Sequence, residues 1–172
     1  MKNLSIALLV MLAISCQQPA AEPEETTDPN LEAFERNTET IKQLVERFIN
    51  KDLDGMRALL SDDFVYLGPV YGADSLDLDG WMEQEQYFMD SYDDLALNDP
   101  VFFAGLADDM TPNGDVRTYG TWTFTHKESG LSGGLIYYSV GFFNDDGKIW
   151  RLMDWFNTSD LVPTAPEEEA SE

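Results

Sequence analysis

FFNDDGKIWRLMDWFN, from Phe142 to Asn157, is the stretch on which the fold turns. An apolar strand end meets Asn144-Asp145-Asp146-Gly147, residues that favour a tight turn, and an alternating, aromatic-rich strand follows. Together they mark a β-hairpin. Side chains alternate along a strand, so Trp150, Leu152, Asp154 and Phe156 are expected on one face. A single carboxylate then stands among large apolar groups, and that face is where a pocket is expected. Asp154 either works there or satisfies the core by bonding Tyr137, Trp81 or Arg151. Desolvated among Trp150, Trp155 and Tyr137, it would have the raised pKa that a general acid or base needs.

Upstream, Leu31, Phe34, Thr38, Ile41, Leu44, Val45, Phe48 and Ile49 recur at three- and four-residue spacings. This is an amphipathic helix, with Asp28 or Asn30 as its cap. Asp52 can cap a second, short helix whose apolar stripe is Leu53, Met56, Leu59 and Leu60. Ser61-Asp62-Asp63 breaks it, and Phe64 to Leu67 reads as a strand ended by Gly68-Pro69. A third helix from about Gly80 to Tyr92 aligns Trp81, Glu85, Phe88 and Tyr92, a mixed face suited to a pocket wall. The period then changes to two. Leu95 to Ala104 is a strand whose Pro100 marks an edge or a bulge, and Val116 to His126 and Leu135 to Phe143 precede the opening hairpin. Helices followed by strands predict an α+β fold: three N-terminal helices packed on a strongly curved antiparallel sheet.

The junction NKDLDGMRALLSDDF (Asn50 to Phe64), a short helix, then Asp-Asp, then a strand, resembles the NTF2-like superfamily, the SnoaL-like and ketosteroid-isomerase-like cone folds. The acidic turn and Gly147-Lys148-Ile149 at the start of the last strand resemble it too. The resemblance spans about residues 31 to 157. It implies a cone whose concave sheet face and helices enclose a cavity, and a dimer through the outer sheet face. By the same alignment the cavity is lined by Tyr66, Trp81, Glu85, Phe88, Trp122, Tyr137, Ser139, Trp150, Leu152 and Phe156, and the small residues Ser139 and Gly141 leave room for a ligand. The three proton-transfer roles of the ketosteroid isomerases fall at Gly68, Leu44 and Ser139, where none is filled, so that particular chemistry is not expected.

His126, the only histidine, could pair with Asp154 as a dyad, as in dehydratase-like members, although Thr125 and Lys127 suit an exposed strand end. One histidine and one cysteine cannot supply the usual ligands of a transition metal, and no metal or cofactor is expected. Ser75 to Gly80, with Gln86 beyond, half-matches a calcium loop. Its simpler reading is that Asp77 or Asp79 caps the third helix.

The net charge is -23, and nine of the 33 acidic residues lie in the two ends, leaving roughly -15 on the domain. Nucleic acid is excluded as a partner, and so is an anionic membrane surface, because a polyanion is repelled. Lys2 precedes an apolar run from Leu4 to Ile14, the length of a signal-peptide core and too short to span a bilayer. Ala13-Ile14-Ser15-Cys16 resembles the lipobox of bacterial lipoproteins, with Ala13 where leucine is favoured. The resemblance implies lipidation at Cys16, the only cysteine, and membrane contact only through that lipid. The expected organisation is a signal peptide (1–15), a lipidated disordered tether (16–30), the domain (31–158) and a disordered acidic tail (159–172). The leading expectation is a non-catalytic module at the cell envelope binding a small apolar or uncharged ligand. The alternative is a SnoaL-like enzyme, an isomerase, dehydratase or hydrolase, with Asp154 as general acid or base. A filled, purely structural dimer is the third.

Overall fold

Each helix begins where a carboxylate accepts a free backbone N–H. Asp28 accepts from the Asn30 amide at 2.9 Å and opens α1 (Pro29–Ile49), with Pro29 in the first turn. Asp52 accepts from the Gly55 amide at 2.9 Å and opens α2 (Leu53–Arg57), a single turn. Asp77 accepts from the Gly80 amide at 2.9 Å and opens α3 (Leu78–Ser91). The acidic loop before α3 is thus used for capping, and Asp79 pairs with Arg57. The computed structural model describes residues 28–163. The expected signal peptide, Cys16, most of the expected tether and the end of the expected tail lie outside the described residues.

Six strands form one curved sheet: β1 (Leu60–Leu67), β2 (Leu76–Asp77), β3 (Tyr92–Leu106), β4 (Pro112–His126), β5 (Leu131–Phe143) and β6 (Ile149–Trp155). Their order is β2-β1-β6-β5-β4-β3. The fold is the expected α+β, with three corrections. The sheet is mixed, because β1 pairs with β6 in parallel. The helices are interleaved with strands, since α3 follows β2. Ser61-Asp62-Asp63 does not interrupt the chain but belongs to β1, where Ser61 is buried and the two aspartates face water. Curvature comes from β3, whose register against β4 shifts between Asp93 and Ala96 and again between Asn98 and Val101. Asp94 (φ 54°) and Asp99 (φ 48°) sit at those shifts in the left-handed region, the geometry of bulges that bend an edge strand. Pro100 follows the second bulge, on an edge where its missing N–H costs no pairing.

The helices cover one face of the sheet. Ile41 and Leu44 of α1, Met56 of α2 and Trp81, Met82 and Met89 of α3 are buried together with Leu60, Phe64 and Tyr66 of β1, Val116 of β4, and Ile149 and Leu152 of β6. A second cluster, Tyr92, Phe124 and Leu135, gathers Phe88, Trp122, Tyr137, Phe156 and Leu161 at the other end of that face.

Trp150 is a correction. Phe142 pairs with Arg151 and Phe143 with Ile149, so Trp150 is the extra residue of a bulge. Ile149, fully buried, takes the inward place, while Trp150 turns outward against the Phe142 ring at 5.9 Å. The outer face also carries Phe103, Tyr119, Tyr138 and Trp155, one from each of β3 to β6, with successive ring centroids 5.9, 4.6 and 5.0 Å apart. Ile136 beside them is 81% exposed. Beyond β6 the chain does not leave the domain at once: a 3-10 turn, Thr158–Leu161, folds back onto it.

Candidate functional site

Between the helices and the concave face lies a cavity of about 110 Å³. Leu44, Val45 and Phe48 of α1 and Phe88 of α3 supply apolar wall, as do Trp122 and Phe124 of β4, Leu135 of β5, and Leu152 and Phe156 at β6. Two carboxyl groups interrupt this wall: Asp154, the inward residue of β6, and Glu85, on the inward stripe of α3. Each residue is 8% exposed. Both arise from simple periodicities, two along β6 and four along α3 from Trp81. Sheet and helix then aim them into the same space.

Among the described residues, no basic side chain pairs with either acid. The Tyr137 hydroxyl donates to Asp154 Oδ1 at 2.8 Å. Burial pushes the Asp154 carboxyl up to about 7, while the Tyr137 and Tyr66 hydroxyls, which stabilise the anion, pull it back. Glu85 is pushed up to about 8 by burial first and then by the charge of Asp154, with the Gln84 amide acting the other way. Burial and the neighbouring Asp154 also hold Tyr137 and Tyr66 well above the usual phenol range, so both stay protonated donors. The two acids form a coupled pair. The first proton leaves Asp154, whose anion has phenol donors, and the resulting charge keeps the second proton on Glu85. Of the two, Asp154 is therefore the acid that ionises first and Glu85 the one that keeps its proton longer. One further donor is free: among the described residues the buried Trp81 Nε1 has no hydrogen-bond partner.

Of the residues expected at the pocket, Tyr66, Trp81, Glu85, Phe88, Trp122, Tyr137, Leu152, Asp154 and Phe156 line this cavity. Trp150 does not, because of the bulge. Ser139 is buried opposite Asp154 but is not a wall residue. The room expected over Gly141 is taken by α1, since a Cβ there would stand 2.9 Å from Ile41 Cδ1. Trp155, expected beside Asp154, lies on the outer face against Tyr138. His126 does not meet Asp154. It stands in the β4–β5 hairpin, its Nδ1 3.0 Å from Ser129 Oγ and its ring against Tyr92 at 5.4 Å. Among the described residues no cluster of three or more His, Cys, Asp or Glu could hold a metal. Glu85 was read as a wall residue only; its place on the Trp81 stripe was the signal that it faces inward. Leu161, on the far side of β6, was missed as a wall residue.

No family model matches the chain, and no curated protein matches it by sequence. Solved structures do match in shape. A presumed isomerase from Bacillus subtilis is 20% identical over 73% of this chain and 88% of its own, with a TM-score of 0.62. A presumed polyketide cyclase from Silicibacter sp. TM1040 is 23% identical over 76% and 98%, with a TM-score of 0.61. An NTF2-like protein from Burkholderia xenovorans LB400 is 14% identical over 74% and 94%, with a TM-score of 0.59. The fold is the NTF2-like cone. At these identities the likeness concerns the fold alone.

Proposed function

We propose that the cavity is a proton-transfer site for a small, uncharged, largely apolar carbonyl compound. The observation that carries this reading is the pairing of Asp154 and Glu85, two buried acids without basic partners in one apolar cavity. Asp154, held by Tyr137, is the base that takes a proton from carbon beside the carbonyl. Glu85 remains protonated and donates to the carbonyl oxygen as negative charge develops there. Return of the proton at the same or another carbon completes an exchange or an isomerisation. The volume limits a ligand to about one six-membered ring, since it is below the roughly 150 Å³ of an apolar cavity that admits benzene. Chemistry of this kind is compatible with the isomerase and cyclase names of the structural neighbours.

Cyclohexanone in D₂O, followed by NMR, tests the proposal. The protein should catalyse deuterium entry beside the carbonyl, and Asp154→Asn should lower the rate about 100-fold or more, with Glu85→Gln losing a smaller factor. Exchange that persists in D154N would remove Asp154 from the mechanism. The dominance of apolar wall favours a second reading, a module that binds such a ligand without turning it over. Binding with no exchange in the wild type would select it.

We further propose that lipid on Cys16 holds the domain at a bacterial cell envelope and that the outer sheet face pairs two copies. A Cys16→Ser protein that still sedimented with membranes would end the first of these.

A further inference from the structure

The chain beyond β6 turns back on a cap of its own. Asn157 Oδ1 accepts from the Ser159 amide at 3.2 Å and from Ser159 Oγ at 2.9 Å, which opens the turn Thr158–Leu161. The Tyr92 hydroxyl donates to the Leu161 carbonyl at 2.8 Å and ties the turn to the start of β3. Two residues on, Pro163 lies over Gly133 of β5, where a Cβ would stand 2.5 Å from Pro163 Cγ and 3.3 Å from the Phe124 ring. A strand glycine so closely covered marks a place reserved for another segment. The Leu161 side chain, packed with Tyr92, Phe124 and Leu135, completes the cavity wall.

We infer that the segment Asn157 to Pro163 is the gate of the cavity and that Leu161 sets the size of ligand admitted. This rests on the cavity being a ligand site and is independent of whether a proton is transferred there. Apart from Phe156, at the root of this segment, the other walls belong to the helices and to paired strands, which move with the core. Among the described residues the gate is held by one hydrogen bond from Tyr92 and by the apolar contacts of Leu161 and Pro163, so it opens at a lower cost than the helical and sheet walls. Shortening Leu161 enlarges the cavity at this end, and Tyr92→Phe loosens the gate while keeping the ring that packs on Phe124.

The test compares binding of cyclohexanone and the two-ring 1-decalone, by calorimetry and stopped-flow tryptophan fluorescence, in the wild type, Leu161→Ala, Tyr92→Phe and Gly133→Ala, with folding checked by thermal melting. L161A should shift the affinity ratio toward decalone by about tenfold, equivalent to two newly buried methylenes. Y92F should raise both the association and dissociation rates of cyclohexanone about fivefold, the worth of one neutral hydrogen bond, and G133A, by displacing Pro163, should act in the same direction. A wild-type ratio in folded L161A together with wild-type rates in folded Y92F would overturn the inference. Failure of both ketones to bind any of the four proteins would overturn the ligand-site reading and the gate with it. Binding with shifted selectivity but no deuterium exchange would support the gate and remove proton transfer.

Discussion

Tyr137 and Tyr138 are neighbours on one strand and have almost nothing else in common. Tyr137 points into the cone and gives its proton to a hydrogen bond with Asp154, while Tyr138 points outward and stacks between Tyr119 and Trp155. Asp154 and Trp155 repeat the contrast one strand over. The same backbone alternation thus builds two surfaces of opposite character. On the concave face helices exclude water, so a carboxyl there resists ionisation and apolar side chains pack between sheet and helix around the cavity. On the convex face aromatic rings cover only one another, and water reaches their edges. Chemistry is concentrated on one side and contact area is left on the other.

Three experiments probe this contrast. The largest effect is expected from Leu152→Ala, which empties space at a residue 3% exposed on the concave face. It should lower stability in denaturant titration by about 3 kcal/mol. A loss below about 1 kcal/mol would show that the concave face is loosely packed. Next is the pH dependence. Asp154 and Glu85 titrate near 7 and 8 in the folded chain, against about 4 in an unfolded one. Between about pH 4 and 8 the folded state therefore binds more protons, and its stability falls as pH rises through that window. D154N removes its share of this cost, so its gain over the wild type should be absent at pH 4 and grow as pH rises to 8. A gain that did not depend on pH would contradict the buried-acid account. The smallest effect on the monomer is expected from Trp155→Ala on the convex face, about 1 kcal/mol for one stacked pair. Sedimentation should at the same time show dimer lost to monomer, and a wild type that sediments as monomer at all concentrations would break the outer-face pairing.

Local grammar carried much of the fold. The carboxylate caps at Asp28, Asp52 and Asp77, the Gly147 turn (φ 74°) and the inward place of Asp154 follow from residues close in sequence. What was not legible depends on partners that local patterns cannot name. The inward set of β6 loses Trp150 because a bulge is defined only against β5. Gly141 looked like open space until Ile41 of α1 filled it. Asp154 and Glu85 each read as a lone acid, and only the packing of α3 over β6 couples them. Leu161 was hidden by composition, since it precedes a run of proline and acid that reads as tail, although Asn157 before it is a turn-opening residue.

The parallel pairing of β1 with β6 also orders events in time. The first long strand to be synthesised has the last as its central neighbour, so Tyr66 and Asp154 come together only after the whole domain is available. Until then β1 lacks its long neighbour, although α1 can already pack on β3 and β4. Closure is a late, long-range step, which makes folding slow for a chain of this size.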